Sequence, residues 1–281
     1  MQDNRHYLPG SLIEVIRPDI RAGHIQHALF DFDGTISLIR EGWQGIMIPM
    51  MVEVLMNTPD HEAPAEVERV VKEFVTRLTG KQTIYQMIQL CEEISQRGGT
   101  PREPSYYKNL YHERLSRHIQ DRIADLKSGR AQPDEMSVPG SIPWLDVMKK
   151  HHVACYLASG TDQEFVDEEA ALLGLTDYFE GIYGAQDDYV NFSKKMVIDR
   201  IVQTHDLHGD NFVAFGDGYV EIEDTKSVGG IAVGVASDEK KRCGVDEWKR
   251  SRLISAGADL IIPDFRETIL LEEYLFPNHR G

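Results

Sequence analysis

Residues 25–35 read IQHALFDFDGT, and this stretch decides the fold. A short apolar run without strict alternation suits a strand buried on both faces, as in a parallel sheet. The run breaks off at Asp31-Phe32-Asp33-Gly34-Thr35. Side chains two apart on a strand share a face, so both carboxylates point into one crevice. Gly34 permits a sharp exit from the strand, and Thr35 adds a hydroxyl. Asp, Gly and Thr are common in any turn that closes a strand. Two like charges held together at the end of a buried strand are not, because they repel unless a cation or a shared proton intervenes.

Outward from this stretch the same pattern recurs. Val153 to Ala158 (VACYLA) runs into Ser159-Gly160-Thr161, and Phe212 to Phe215 (FVAF) runs into Gly216-Asp217-Gly218. Further apolar runs follow at Gly230 to Val235 and Asp259 to Ile262. Helical spacing fills the intervals. Gln163 to Leu173 starts after Thr161-Asp162, a suitable N-cap, and stops at Gly174. Lys194 to Gln203 places Val197, Ile198, Ile201 and Val202 at helical spacing. Strand and helix in alternation predict an α/β fold with a doubly wound, Rossmann-like parallel sheet and its functional groups at the carboxyl ends of the strands. All three small-and-acidic clusters fall at such ends. Leu12 to Ile16 reads either as an extra edge strand or as a surface clasp.

From about Ser37 to Ser137 the alternation stops and amphipathic helices take over. Val67, Val70, Val71, Phe74 and Leu78 make one apolar face. Ile84, Met87, Ile88, Cys91 and Ile94 make a second, and Leu110, Leu115, Ile119, Ile123 and Leu126 a third. The expected organisation is a core of residues 1–36 and 138–281 interrupted by a helical domain of residues 37–137. Within residues 97–130, eight basic residues face four acidic ones. This reads first as a solvated helix face, and second as a surface for an extra carboxylate or phosphate on a ligand. Arg40, Glu41 and Trp43 stand where the insert leaves the core and are candidates to line the cleft between them.

The bulk numbers exclude several classes. With 30 basic against 46 acidic residues and a net charge of −16, the chain lacks the cationic footprint of a nucleic-acid binder. No apolar stretch is long enough to span a bilayer, so no membrane partner is expected. Three scattered cysteines without a C-x-x-C pair fit a reducing, cytoplasmic setting. The histidines lack zinc-site spacing, and GGIAVGVAS lacks the spacing of a dinucleotide fingerprint.

DFDGT after an apolar strand resembles the first signature of the haloacid dehalogenase (HAD) superfamily, in its phosphatase and phosphomutase branch. Ser159 after VACYLA is similar to the second signature, a lysine in NFSKK (Lys194 or Lys195) to the third, and FGDGYVEIED to the fourth. The connecting text GLTDYFEGIYGA, GGIAVGVAS and AGADLIIPDF also looks like the family, so the resemblance covers residues 25–275 apart from the insert. Four ordered signatures carry far more weight than any one alone.

The resemblance implies a Mg²⁺-dependent phosphatase with a helical cap, acting on a small phosphorylated metabolite such as a sugar phosphate. Asp31 would be the nucleophile and Asp33 the acid and base, with Ser159 and Lys194 holding the phosphoryl group. Gly34, Thr35 and Gly160 would contact substrate. Mg²⁺ would be held by the Asp31 carboxylate, the Asp33 carbonyl, Asp217 and, through water, Glu221. Lys195 in place of Lys194, and Asp224 in place of Glu221, stay open. A sugar phosphomutase would use the same Asp31 and Asp33, phosphonate cleavage would need a cap lysine, and a non-catalytic scaffold is the reading from another class.

Overall fold

The computed structural model describes residues 5–186, 193–207 and 209–277. Among the described residues seven strands form one sheet: β1 (Glu14–Val15), β2 (His27–Phe30), β3 (Ala154–Asp162), β4 (Gly181–Ala185), β5 (Phe212–Gly216), β6 (Ile231–Val235) and β7 (Leu260–Ile262). Their spatial order is β1-β7-β6-β5-β2-β3-β4, parallel throughout except for β1, which runs antiparallel to β7. The segment left open as strand or clasp is therefore an edge strand. From β2 the chain builds outward through β3 and β4, then returns to the other side of β2 with β5. The order reverses at β2, and in such sheets the crevice outside the carboxyl ends at the reversal is where ligands bind.

The central strands read as they do because both faces are covered. Every residue of β5, β6 and β7 is buried. Phe30 stacks on Phe215, and Trp144 meets Phe215 edge-on, which fills the layer beneath the site. Helices α5 (Ser141–Lys150), α6 (Gln163–Leu172), α7 (Lys194–His205), α8 (Tyr219–Ser227), α9 (Glu247–Ala256) and α10 (Thr268–Leu275) complete the α/β layers. The expected helices from Gln163 and from Lys194 are α6 and α7. Ser193 caps α7 by accepting a hydrogen bond from the Met196 N–H at 3.2 Å, which sets Lys194 in its first turn.

Four helices lie between β2 and β3: α1 (Gln44–Leu55), α2 (Pro64–Leu78), α3 (Thr83–Gln96) and α4 (Pro104–Ser128). α2 and α4 each open on proline, whose fixed φ and missing N–H suit the first helical position. Val67, Val71, Phe74, Ile84, Met87, Ile94, Leu115 and Ile119 are buried as spaced, but α3 also turns Leu90 inward and leaves Ile88 and Cys91 half-buried. The insert leaves and re-enters through a short paired ribbon. Leu38 N–H donates to the Met136 carbonyl and Val138 N–H to the Ile36 carbonyl, each at 2.8 Å, around a Ser37–Ser137 bridge. At its far side, Arg252 of α9 donates to the carbonyls of Thr76, Arg77 and Thr79 at the end of α2. A cation there opposes the helix dipole and satisfies terminal carbonyls.

Candidate active site

β2 ends at Phe30, and the next residue is Asp31, whose N–H donates to the Phe215 carbonyl at 2.9 Å. The chain then coils tightly. Phe32 O accepts from the N–H groups of Thr35, Ile36 and Ser37, and Gly34 N–H donates to Ser37 O at 2.9 Å. Gly34 adopts φ +76°, and a Cβ there would collide with the Asp217 carboxylate. Only glycine combines that backbone with so close an approach. The loop from β2 and the loop from β5 are thus pressed together. The Asp217 N–H donates to Thr35 Oγ1 at 3.0 Å and locks them.

β3 supplies the third side. It continues through Ser159, Gly160 and Thr161, so Ser159 and Thr161 share one face of the strand. Thr161 Oγ1 donates to Asp33 Oδ2 at 2.8 Å, and Ser159 Oγ approaches the same oxygen at 3.4 Å. Asp33 Oδ1 is buried and has no hydrogen-bond partner among the described residues. Gly160 matters for a different reason: a Cβ there would lie 2.9 Å from the Lys81 carbonyl oxygen, so glycine lets the insert descend onto the strand.

Lys194 reaches in from α7. Its Nζ donates to Asp31 Oδ1 at 2.6 Å and also pairs with Glu221. Lys195, the alternative, turns away to Asp199 at 2.9 Å and is half exposed. Glu221, expected on a metal, is fully buried beneath Lys194 and does not line the cavity. The cause is local: α8 starts straight after Gly218 and its first turn swings Glu221 back under the lysine. Asp224, the other candidate, also lies outside the cavity lining, and burial raises its carboxyl to about 6.

Asp31, Asp33, Ser159, Gly160, Lys194 and Asp217 all line one cavity of about 90 Å³, together with Arg40, Trp43, Met47, Thr79, Gly80, Lys81, Thr83, Gln86, Tyr111 and Thr161. Gly34 and Thr35, expected as substrate contacts, do not line it; they set the spacing of the carboxylates. Burial pushes the Asp31 carboxyl up to about 7; Lys194 opposes the rise, while Asp217 and Asp33 add to it. Such an acidic cluster suits a hard divalent cation. Among the described residues no three His, Cys, Asp or Glu side chains gather as a metal centre. Mg²⁺ needs no such cage, because it is commonly held by one or two carboxylates with carbonyl oxygens and water. Asp31, Asp217 and the Asp33 carbonyl fit that pattern.

The local excess of basic residues in 97–130 does not reach the cavity. Arg97, Lys108, Arg114, Arg117, Arg122, Lys127 and Arg130 all pair with carboxylates, and Arg102 stacks on Tyr106. Three features of the site had no local signal in the sequence. Lys249 of α9 bridges Asp217 (2.8 Å) and Glu239 (2.6 Å); against its burial, these two carboxylates hold it above the ordinary lysine range. Arg40 and Trp43, named from the sequence as cleft candidates, do line the cavity and Glu41 does not, but the fork of Arg40 onto buried Glu169 of α6 was not foreseen. Tyr111 and Gln86 project from α4 and α3. Thr161 did have a signal, since it stands two residues from Ser159 on a strand.

The family model of haloacid dehalogenase-like hydrolases matches residues 25–229, which is most of the chain. The chain belongs to the haloacid dehalogenase-like hydrolase family. Its fold is shared by several solved structures. One is described as a putative beta-phosphoglucomutase from Thermotoga maritima, with 19% identity, TM-score 0.52, 88% of this chain and 99% of that one covered. Another is a predicted phosphoglycolate phosphatase from Haemophilus somnus, with 14% identity, TM-score 0.59 and coverage of 88% and 98%. A third is CbbY from Rhodobacter sphaeroides in complex with phosphate, with 16% identity, TM-score 0.55 and coverage of 87% and 96%. At these identities the likeness speaks for the fold. No curated protein matches the chain. No described helix of this HAD-like hydrolase is long and apolar enough to cross a membrane, and Cys91, Cys155 and Cys243 are all unpaired.

Proposed function

We propose that this chain is a Mg²⁺-dependent phosphatase that hydrolyses a small phosphorylated metabolite, with sugar phosphates among the candidates, in the cytoplasm. The observation that carries the reading is the convergence of Asp31, Asp33, Ser159, Lys194 and Asp217 on one cavity from three neighbouring strands and α7. Asp31 attacks phosphorus in line, and the bond to the leaving oxygen breaks as the aspartyl-phosphate forms. Asp33 hands its proton to that oxygen, then takes one from the water that attacks the acyl-phosphate and frees inorganic phosphate. Its unpartnered Oδ1 is the oxygen suited to carry that proton, while Thr161 holds Oδ2 in place. Lys194 balances charge on Asp31 and on the phosphoryl oxygens, and Ser159 donates its hydroxyl to them. Asp31, Asp217 and the Asp33 carbonyl would hold Mg²⁺, which supplies charge neutralisation at the phosphoryl oxygens when bound. Residues 37–137 then serve as a cap: Gly80 and Lys81 close on Gly218 and Gly160 and exclude bulk water. A cavity of about 90 Å³ favours a small substrate over a macromolecule.

The test is phosphate release from an aryl phosphate and a panel of phosphorylated metabolites, with and without Mg²⁺, for the parent and Asp31→Asn. Mg²⁺-dependent release that disappears in the variant is the expected result; release that survives Asp31→Asn sinks the nucleophile assignment. Interconversion of sugar phosphates with little free phosphate replaces the phosphatase by a phosphomutase. No turnover of any ester favours a binding module.

A further inference from the structure

Arg40 is a buried cation for which the chemistry above has no use. Only 7% of it is exposed, yet it lines the same cavity as the reacting carboxylates. Its guanidinium is gripped on two sides. Nε and Nη2 fork onto Glu169 at 2.7–3.1 Å, and the Phe165 ring lies 5.2 Å from its centre. This fixes the plane of the group and leaves Nη1 without a hydrogen-bond partner among the described residues. Towards Asp33, Arg40 makes only a long ion pair and no hydrogen bond. The Nε to Oδ1 separation is 3.9 Å, too long for a hydrogen bond, and Thr161 already fills the positioning role. Bracing alone needs no ions, because an apolar pair of equal volume fills the same space without desolvating two charges.

The wall of the cavity that Arg40 shares is mixed. Gln86, Tyr111 and Thr83 offer polar groups, and Trp43 and Met47 offer an apolar surface. A guanidinium fork with a free edge matches a carboxylate or phosphate, and one whose plane is already fixed loses little freedom on binding. We propose that Arg40 selects the leaving group, and that the group selected carries a negative charge, as a carboxylate or a second phosphate. This rests on the phosphatase reading, since it assigns the Arg40 part of the cavity to the leaving group.

The experiment compares kcat/KM of the full chain with Mg²⁺ on three esters: 3-phosphoglycerate with its carboxylate, fructose 1,6-bisphosphate with its second phosphate, and uncharged-tailed glycerol 1-phosphate. The parent should prefer one of the charged esters, which also tells carboxylate from phosphate. Arg40→Gln combined with Glu169→Gln removes both members of the pair, so no buried carboxylate is stranded. It should lower the charged-to-uncharged ratio about 10- to 100-fold, mainly through KM, while Arg40→Lys recovers only part. A ratio is unaffected by any loss of folded protein. Preference of the parent for the uncharged ester, or a ratio unmoved in the double variant, overturns the proposal and leaves the phosphatase reading intact. If no ester releases phosphate, that reading fails on its own. The same ratio, taken from dissociation constants of the three esters for Asp31→Asn protein with and without the double change, then decides on Arg40, and an unmoved ratio overturns it.

Discussion

Asp31→Asn should abolish turnover and yet stabilise the metal-free protein, by an amount that depends on pH. Burial lifts the Asp31 carboxyl from an ordinary 3.8 to about 7. Between those values the folded chain keeps a proton that the unfolded chain has lost. The folded state therefore binds more protons, and stability falls as pH rises through that window. The full cost is present above about pH 7 and absent below about pH 4. At about 1.36 kcal/mol per pH unit, the ceiling is on the order of 4 kcal/mol. Asparagine does not titrate, and its amide oxygen still accepts a hydrogen bond from Lys194. Against this, Lys194 keeps only Glu221 as a charged partner, so about half the ceiling should survive. With about 2–4 °C per kcal/mol for a chain of this size, a rise in Tm of about 4–8 °C is expected at pH 8. Thermal unfolding followed by circular dichroism in EDTA at pH 4.5, 6 and 8 measures it. Addition of Mg²⁺ should raise the parent more than the variant and narrow the gap. A variant no more stable than the parent at pH 8, or a gap that ignores pH, would refute the reasoning.

Two further outcomes follow from the geometry. Lys194→Met should lower kcat about 10²- to 10³-fold, as loss of a donor to the reacting oxygens does, whereas Lys195→Met removes an exposed pair with Asp199 and should change it less than twofold; steady-state phosphate release separates them. Gly34→Ala sets a side chain at φ +76° and onto Asp217, so it should cost about 1–3 kcal/mol in urea unfolding and weaken Mg²⁺ binding measured by calorimetry.

Much of the core was legible because parallel strands buried on both faces leave uninterrupted apolar runs. The strands entering Asp31, Ser159 and Asp217 were visible for that reason, and so were α6 and α7. Others were hidden by chemistry that suits no template. β4 is Gly-Ile-Tyr-Gly-Ala, a partly exposed edge strand with two glycines, and nothing in its composition separates it from a loop. α1 carries Pro49 in its interior, and α5 carries Pro143 in its first turn. At the site, residues that act through their own loop were readable, whereas residues that arrive from afar were not. Lys249 meets Asp217 from 32 positions away, and Glu169 meets Arg40 from 129. Ion pairs of that span leave no periodicity or spacing behind. Glu221 shows the converse. Its place near Asp217 in sequence suggested shared duty on a metal, but one helical turn was enough to send it to the lysine instead.

The ribbon of Ile36–Leu38 against Met136–Val138 constrains how this architecture can vary. Two short paired segments give the insert a narrow neck, so α1 to α4 can lengthen, shrink or change their lining without shifting the register of β2 against β3. The neck also begins one residue after Thr35, in the same coil that presents Asp33. Any swing of the helices about this neck would pull on the peptide that bears Asp33. On the proposed reading, admission of a molecule and alignment of Asp33 would then be geared to each other.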